Sequence, residues 1–161
     1  IPGEAILFDM YYNGKDFADS EKNPKMEVKA VTEETPQFRN FYIRNITCYG
    51  AENAIVVRGL PEMNVQNILI ENSTIKAKNG IYCIEGSNIQ FKNLRILTET
   101  DEVGATISNS KNLLFDKVIF EGNLKNNFMI YGDKTAKIRL SNMPSDKIFL
   151  SNEVAKNVMQ K

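Results

Sequence analysis

The chain has 161 residues, 42% of them apolar, and its 20 Lys+Arg balance its 20 Asp+Glu. That neutrality excludes a nucleic-acid binder held by a basic face and a polybasic membrane anchor. The length suffices for one hydrophobic core, and no apolar run reaches the span of a membrane helix.

Two scarcities narrow the chemistry further. The sequence holds no His, which removes imidazole triads, proton relays and His-based metal sites. Cys48 and Cys83 cannot build a tetrahedral zinc site by themselves. No metal and no cofactor is expected. Both cysteines read as buried small hydrophobes, and a single bridge stays open for an oxidising compartment. The start at Ile1-Pro2-Gly3 instead of Met points to processing or to a cut in a longer chain.

In chain order, Tyr12 to Pro36 is rich in Lys, Asp, Glu and Asn, and reads as a long surface excursion. A repeat begins after it. Asn40-Phe41-Tyr42-Ile43-Arg44-Asn45 is followed by Asn67-Ile68-Leu69-Ile70-Glu71-Asn72 and Asn88-Ile89-Gln90-Phe91-Lys92-Asn93. Asn112-Leu113-Leu114-Phe115-Asp116-Lys117 makes the fourth copy, and weaker ones start at Lys137 and Lys147. The copies begin 27, 21, 24, 25 and 10 residues apart. Slots two and four are apolar throughout, slot five is polar, and slot six is Asn in five of the six. Alternation of that kind marks a strand with one buried face. Asn at its end suits a left-handed turn residue. Further strands are expected midway in most intervals, at Ala54–Gly59, Ile81–Gly86, Ala105–Ser108 and Phe128–Gly132.

Several short strands per repeat leave little room for helices. A leucine-rich repeat is disfavoured because its Asn would fall one place later, and Leu does not dominate. An all-β parallel β-helix fits, each coil stacking on the one below at about 4.8 Å. Slot-six Asn side chains would then form an amide ladder. Residues 1–142 are expected to form the coils, with the excursion at 12–36. Residues 143–161 form a cap: an extra strand at 147–152, then a short helix or a frayed tail.

Glu33-Glu34, Asp101-Glu102 and Glu62 read as solvated or turn carboxylates. Arg39, Arg44 and Arg58 are candidates for an anionic polysaccharide, against surface solvation or edge pairing. Asn45-Ile46-Thr47 and Asn72-Ser73-Thr74 match the glycosylation triplet as by-products of the repeat.

The run Thr32-Glu33-Glu34-Thr35-Pro36-Gln37-Phe38-Arg39-Asn40, with Ile43-Arg44-Asn45 and Gly59-Leu60-Pro61-Glu62, resembles the C-terminal part of family 28 glycoside hydrolases. These are the polygalacturonase-like enzymes of pectin breakdown. Ala5 to Tyr12 looks like the strand after the family's last catalytic motif, and the resemblance covers roughly residues 1–125. It implies a right-handed single-stranded parallel β-helix and inverting hydrolysis of α-galacturonosyl or rhamnogalacturonan linkages.

The family's Asn-Thr-Asp, Asp-Asp, Gly-His-Gly and Arg-Ile-Lys motifs do not occur in this sequence. The family order would set them before residue 1. No acid pair here is assigned to the two-carboxylate work of an inverting glycosidase. The resemblance therefore implies scaffold and cleft wall, with no catalytic residue and no activity in isolation. It carries over one substrate contact, Tyr11, with Tyr12 second. It also implies a pectic polysaccharide as partner, without nucleic acid or membrane, and an extracytoplasmic location. The alternatives are a stand-alone carbohydrate-binding β-helix and a structural solenoid that self-associates through its open N-terminal coil.

Overall fold

A computed structural model of the chain describes residues 3–11 and 28–160. Eleven strands follow in order: β1 (Glu4–Asp9), β2 (Arg39–Arg44), β3 (Thr47–Arg58), β4 (Val65–Ile84), β5 (Gly86–Thr98), β6 (Val103–Ser108), β7 (Lys111–Glu121), β8 (Asn126–Tyr131), β9 (Ala136–Ser141), β10 (Ile148–Leu150) and β11 (Met159–Gln160). Every pairing among them is parallel. No helix occurs among the described residues.

The strands stack as three walls of a solenoid. Wall A holds β2, the starts of β4, β5 and β7, then β9 and β11. Wall B holds the start of β3, the middle of β4 and the ends of β5 and β7. Wall C holds β1, the ends of β3 and β4, then β6, β8 and β10. The four strands expected midway between repeat copies are all in wall C. Residues 12–27 of the expected excursion lie outside the described residues, and 28–38 run irregularly into β2.

Slot two of the repeat forms one column, Phe41–Ile68–Ile89–Leu113–Ile138, which Met159 extends. Slot four forms the next: Ile43–Ile70–Phe91–Phe115–Leu140. Opposite them, wall C sends in Ile6–Ile55–Ile81–Ala105–Phe128 and Phe8–Val57–Cys83–Ile107–Ile130. Period-two alternation has thus placed like residues over like, and their burial supplies the main folding force. Cys83 lies fully inside, where burial pushes its thiol up to about 12. Cys48 is half-buried on wall B, and both thiols are free.

β4, β5 and β7 turn from wall A to wall B as single strands, whereas residues 45 and 46 separate β2 from β3. Slot six is left-handed in Asn45, Asn72, Asn93, Lys117 and Asn142, with φ from 49° to 59°. Slot one is left-handed too, in Asn40, Asn67, Asn88, Asn112, Lys137 and Lys147. Asn bears this conformation well because its short amide bonds locally, whereas other L-residues are strained by roughly 1–2 kcal/mol. Lys117→Asn is therefore expected to raise the unfolding free energy by about 1 kcal/mol, as urea denaturation would read it.

The ladder differs from the one expected. At slot six only Asn93 Nδ2 donates to Asn72 Oδ1, at 2.8 Å, because Lys117 interrupts the run and Asn142 turns to Asp116. The longer rail is at slot one. There Asn67 donates to Asn40 at 3.2 Å, Asn88 to Asn67 at 2.6 Å and Asn112 to Asn88 at 3.1 Å.

Parallel pairing runs on past residue 142. The sixth repeat copy is not stacked on the fifth: Ile148 lies over Phe128 in wall C, and Met159 over Ile138 in wall A. Between them, turns bury Val154 and Val158 against the core, where a short helix or a frayed tail was expected.

Candidate functional site

The outward faces of the three walls differ in chemistry. Wall A presents Arg44, Glu71, Lys92 and Asp116 in one column, signs alternating. Wall B presents Arg95 against Glu121, with Nη2 to Oε2 at 3.0 Å. Wall C is apolar and aromatic instead. Its outward columns are Leu7–Val56–Tyr82–Thr106–Met129–Phe149 and Asp9–Arg58–Ile84–Ser108–Tyr131. The only charges in these columns, Asp9 and Arg58, neutralise each other. Leu7 and Phe149 are exposed and Tyr82 and Tyr131 half-buried. Phe149 lies 5.8 Å from Tyr131, centroid to centroid.

Tyr11 sits at the N-terminal end of this face, just past β1 and half-buried. Its backbone N–H donates to Asp9 Oδ1 at 2.9 Å, which tucks the chain back against the strand end. The buried Arg58 guanidinium joins Asp9 through Nε at 3.0 Å and through Nη2, and its carbon lies 5.2 Å from the Tyr11 ring centroid. A ring fixed by a cation on one face and a turn behind it is a preorganised surface. Tyr12 lies outside the described residues.

The three candidate arginines are not brought together. Arg39 and Arg44 are at the two ends of β2 on wall A, both exposed, with Arg44 5.4 Å from the Tyr42 ring centroid. Glu33 and Glu34 are exposed in a turn held by Thr32 and Thr35. Glu62 sits in a turn closed by paired backbone bonds between Leu60 and Met63. Asp101 and Glu102 are exposed between walls B and C, and Glu102 pairs with Lys125.

Sequence reasoning missed Glu85. It occupies the corner leaving wall C, where backbone hydrogen bonds place Gly59, Glu85, Asn109 and Gly132 in succession. Asn and Gly suit this corner, which is left-handed at Glu85, Asn109 and Gly132. Glu85 holds φ at 49° and is 4% exposed. Asn64 Nδ2 donates to its Oε2 at 3.0 Å, and Lys134 Nζ is 4.0 Å from Oε1. Burial raises its pKa, against the pull of Lys134, Asn64 and Asn109. Aligning the midway strands by their ends would have exposed this column.

The pH consequence has a definite sign. A carboxyl whose folded pKa lies above its unfolded value near 4.5 favours the folded state in its protonated form. That contribution is complete below about 4.5 and is lost as pH rises through the folded value. Glu85→Gln is expected to remove this component from the pH dependence of stability, in denaturation series run between mild acid and neutrality.

Parallel coils of this kind fit a carbohydrate-active β-helix module. A family model described as "Right handed beta helix region" matches residues 30–158. The chain belongs to that family, and its fold is the right-handed β-helix of the pectate-lyase and polygalacturonase type. Searches of curated proteins and of solved structures give no match.

Proposed function

We propose that this chain is the C-terminal coil stack of a polygalacturonase-like, family 28 glycoside hydrolase that works on pectin outside the cytoplasm. The outward face of wall C is its contribution to the cleft, and the catalytic aspartates belong to other coils. The observation that carries the reading is that Tyr82, Tyr131 and Phe149 share the outward face of wall C, with Phe149 beside Tyr131 and Tyr11 fixed at the N-terminal end by Arg58. Aromatic rings give a sugar an apolar floor, and tyrosine hydroxyls add hydrogen bonds to its rim. The Glu-Thr-Pro-Gln-Phe-Arg-Asn and Gly-Leu-Pro-Glu runs support the particular family.

Calorimetric titration with oligogalacturonates tests it. Saturable binding is expected, with Tyr82→Ala and Tyr131→Ala each weakening it about tenfold, the equivalent of ~1.4 kcal/mol. No reducing ends should be released. Turnover by the pure chain, or binding indifferent to both tyrosines, would contradict the proposal. A stand-alone carbohydrate-binding module is the second reading. It is favoured by one observation: the two outward columns of wall C carry a single acid, Asp9, already held by Arg58.

A further inference from the structure

In β5, β7 and β9 of wall A, a two-residue step ending in Asn or Lys precedes the first inward apolar residue. In three successive coils these steps are Ser87-Asn88, Lys111-Asn112 and Ala136-Lys137, stacked in register. Together they line a shallow groove of about 460 Å³.

Asn88 and Asn112 are the last two members of the slot-one rail. Each spends one N–H on the amide of the coil before it. An amide nitrogen carries two donors, so each keeps a second one for a ligand. Lys137 stands where a fifth Asn would extend the rail. It holds φ at 57°, a conformation that costs a lysine more than an asparagine, and it forgoes the ladder bond. Lys147, in a similar conformation, uses its ammonium on the Leu124 carbonyl at 3.1 Å. The side chains of Lys111 and Lys137 make no hydrogen bond or ion pair among the described residues, and both are exposed. Ala136, stacked on Lys111, is small and leaves room in the groove that both lysines line.

We infer that this groove is an anion-binding subsite for a carboxylate or sulfate group carried on an oligosaccharide. The ammonium groups of Lys111 and Lys137 supply the charge, and the spare amide donors of Asn88 and Asn112 supply direction. An anion there relieves the mutual repulsion of two lysines on neighbouring coils. The inference rests on the carbohydrate reading above. It assigns a different wall, however, so the two can fail separately.

The test follows the side-chain amide resonances of Asn88 and Asn112 in the full chain by NMR. The ligands are trigalacturonate, a sulfated trisaccharide and a neutral trisaccharide. Charged ligands are expected to shift both amides and the neutral one to leave them unmoved. K111Q/K137Q should weaken the charged ligands about tenfold, and added salt should weaken them too, because exposed charges are screened. Tyr82→Ala should leave these shifts in place. Whichever charged ligand binds tighter names the preferred group. Shifts confined to wall C, or equal affinity in K111Q/K137Q, would overturn the subsite while sparing the carbohydrate reading. Silence from all three ligands on every resonance would overturn both.

Discussion

Phe115→Ala is expected to lower the unfolding free energy by about 3–5 kcal/mol. Phe115 is fully buried in the slot-four column. Its ring stacks on Phe91 at 4.7 Å with 17° between planes, and meets Phe128 edge-on at 5.0 Å. Phe128 in turn meets Phe120 at 5.7 Å. Phe115 thus joins walls A and C and two successive coils at once. Nearest-neighbour coupling between coils is what makes a solenoid cooperative, so the cavity also weakens communication along the stack. Ile119→Ala is the control. Ile119 is 55% exposed on wall B, and its truncation should cost less than about 0.5 kcal/mol. Urea denaturation followed by circular dichroism reads both. Equal costs would mean that the coils do not share a common interior.

Arg58→Ala is expected to cost about 3–5 kcal/mol, because it leaves Asp9 facing an apolar wall without its cation. The Arg58 side chain is 5% exposed and that of Asp9 22%. The pair lies between the two coils nearest the N-terminal end, and Tyr11 leans on the same guanidinium. Asp9→Asn combined with Arg58→Met should be milder than Arg58→Ala alone, since neither charge then stays behind unmatched. A double variant no better than the single one would show that the loss comes from packing of the Arg58 stem.

Much of this fold is written in the residues. The alternation in Ile89-Gln90-Phe91-Lys92 fixes which side faces inward, and the recurrence of Asn fixes the turns. Both depend on local chemistry that repeats from coil to coil. The slot-one rail was equally visible as Asn40, Asn67, Asn88 and Asn112. Its role depends on a left-handed residue at slot one, which the alternation does not signal. The sixth copy was expected as an extra strand, with its wall left open. Ile148-Phe149-Leu150 is a short apolar run, and nothing in that pattern says which wall it joins. Closure of the last coil over Phe128 decided it.

The site was less legible than the scaffold. Tyr11 came from family likeness, and its Arg58 contact depends on register between strands 49 residues apart. Tyr82, Tyr131 and Phe149 share a face only once the coils are stacked, so no local pattern joins them. Glu85 was hidden because a lone Glu before Gly86 looks like an ordinary polar turn. Its hydrogen-bond partners Asn64 and Asn109 are each brought by a different coil.

The central claim is that successive turns stack in parallel with like residues in contact. Methyl–methyl NOEs in a sample labelled at Ile and Leu test it most directly. The expected result is an unbroken chain of contacts from Ile68 to Ile89, Leu113 and Ile138. Missing links between these four, or their strong contacts going instead to residues such as Leu7 or Ile119, would contradict the account.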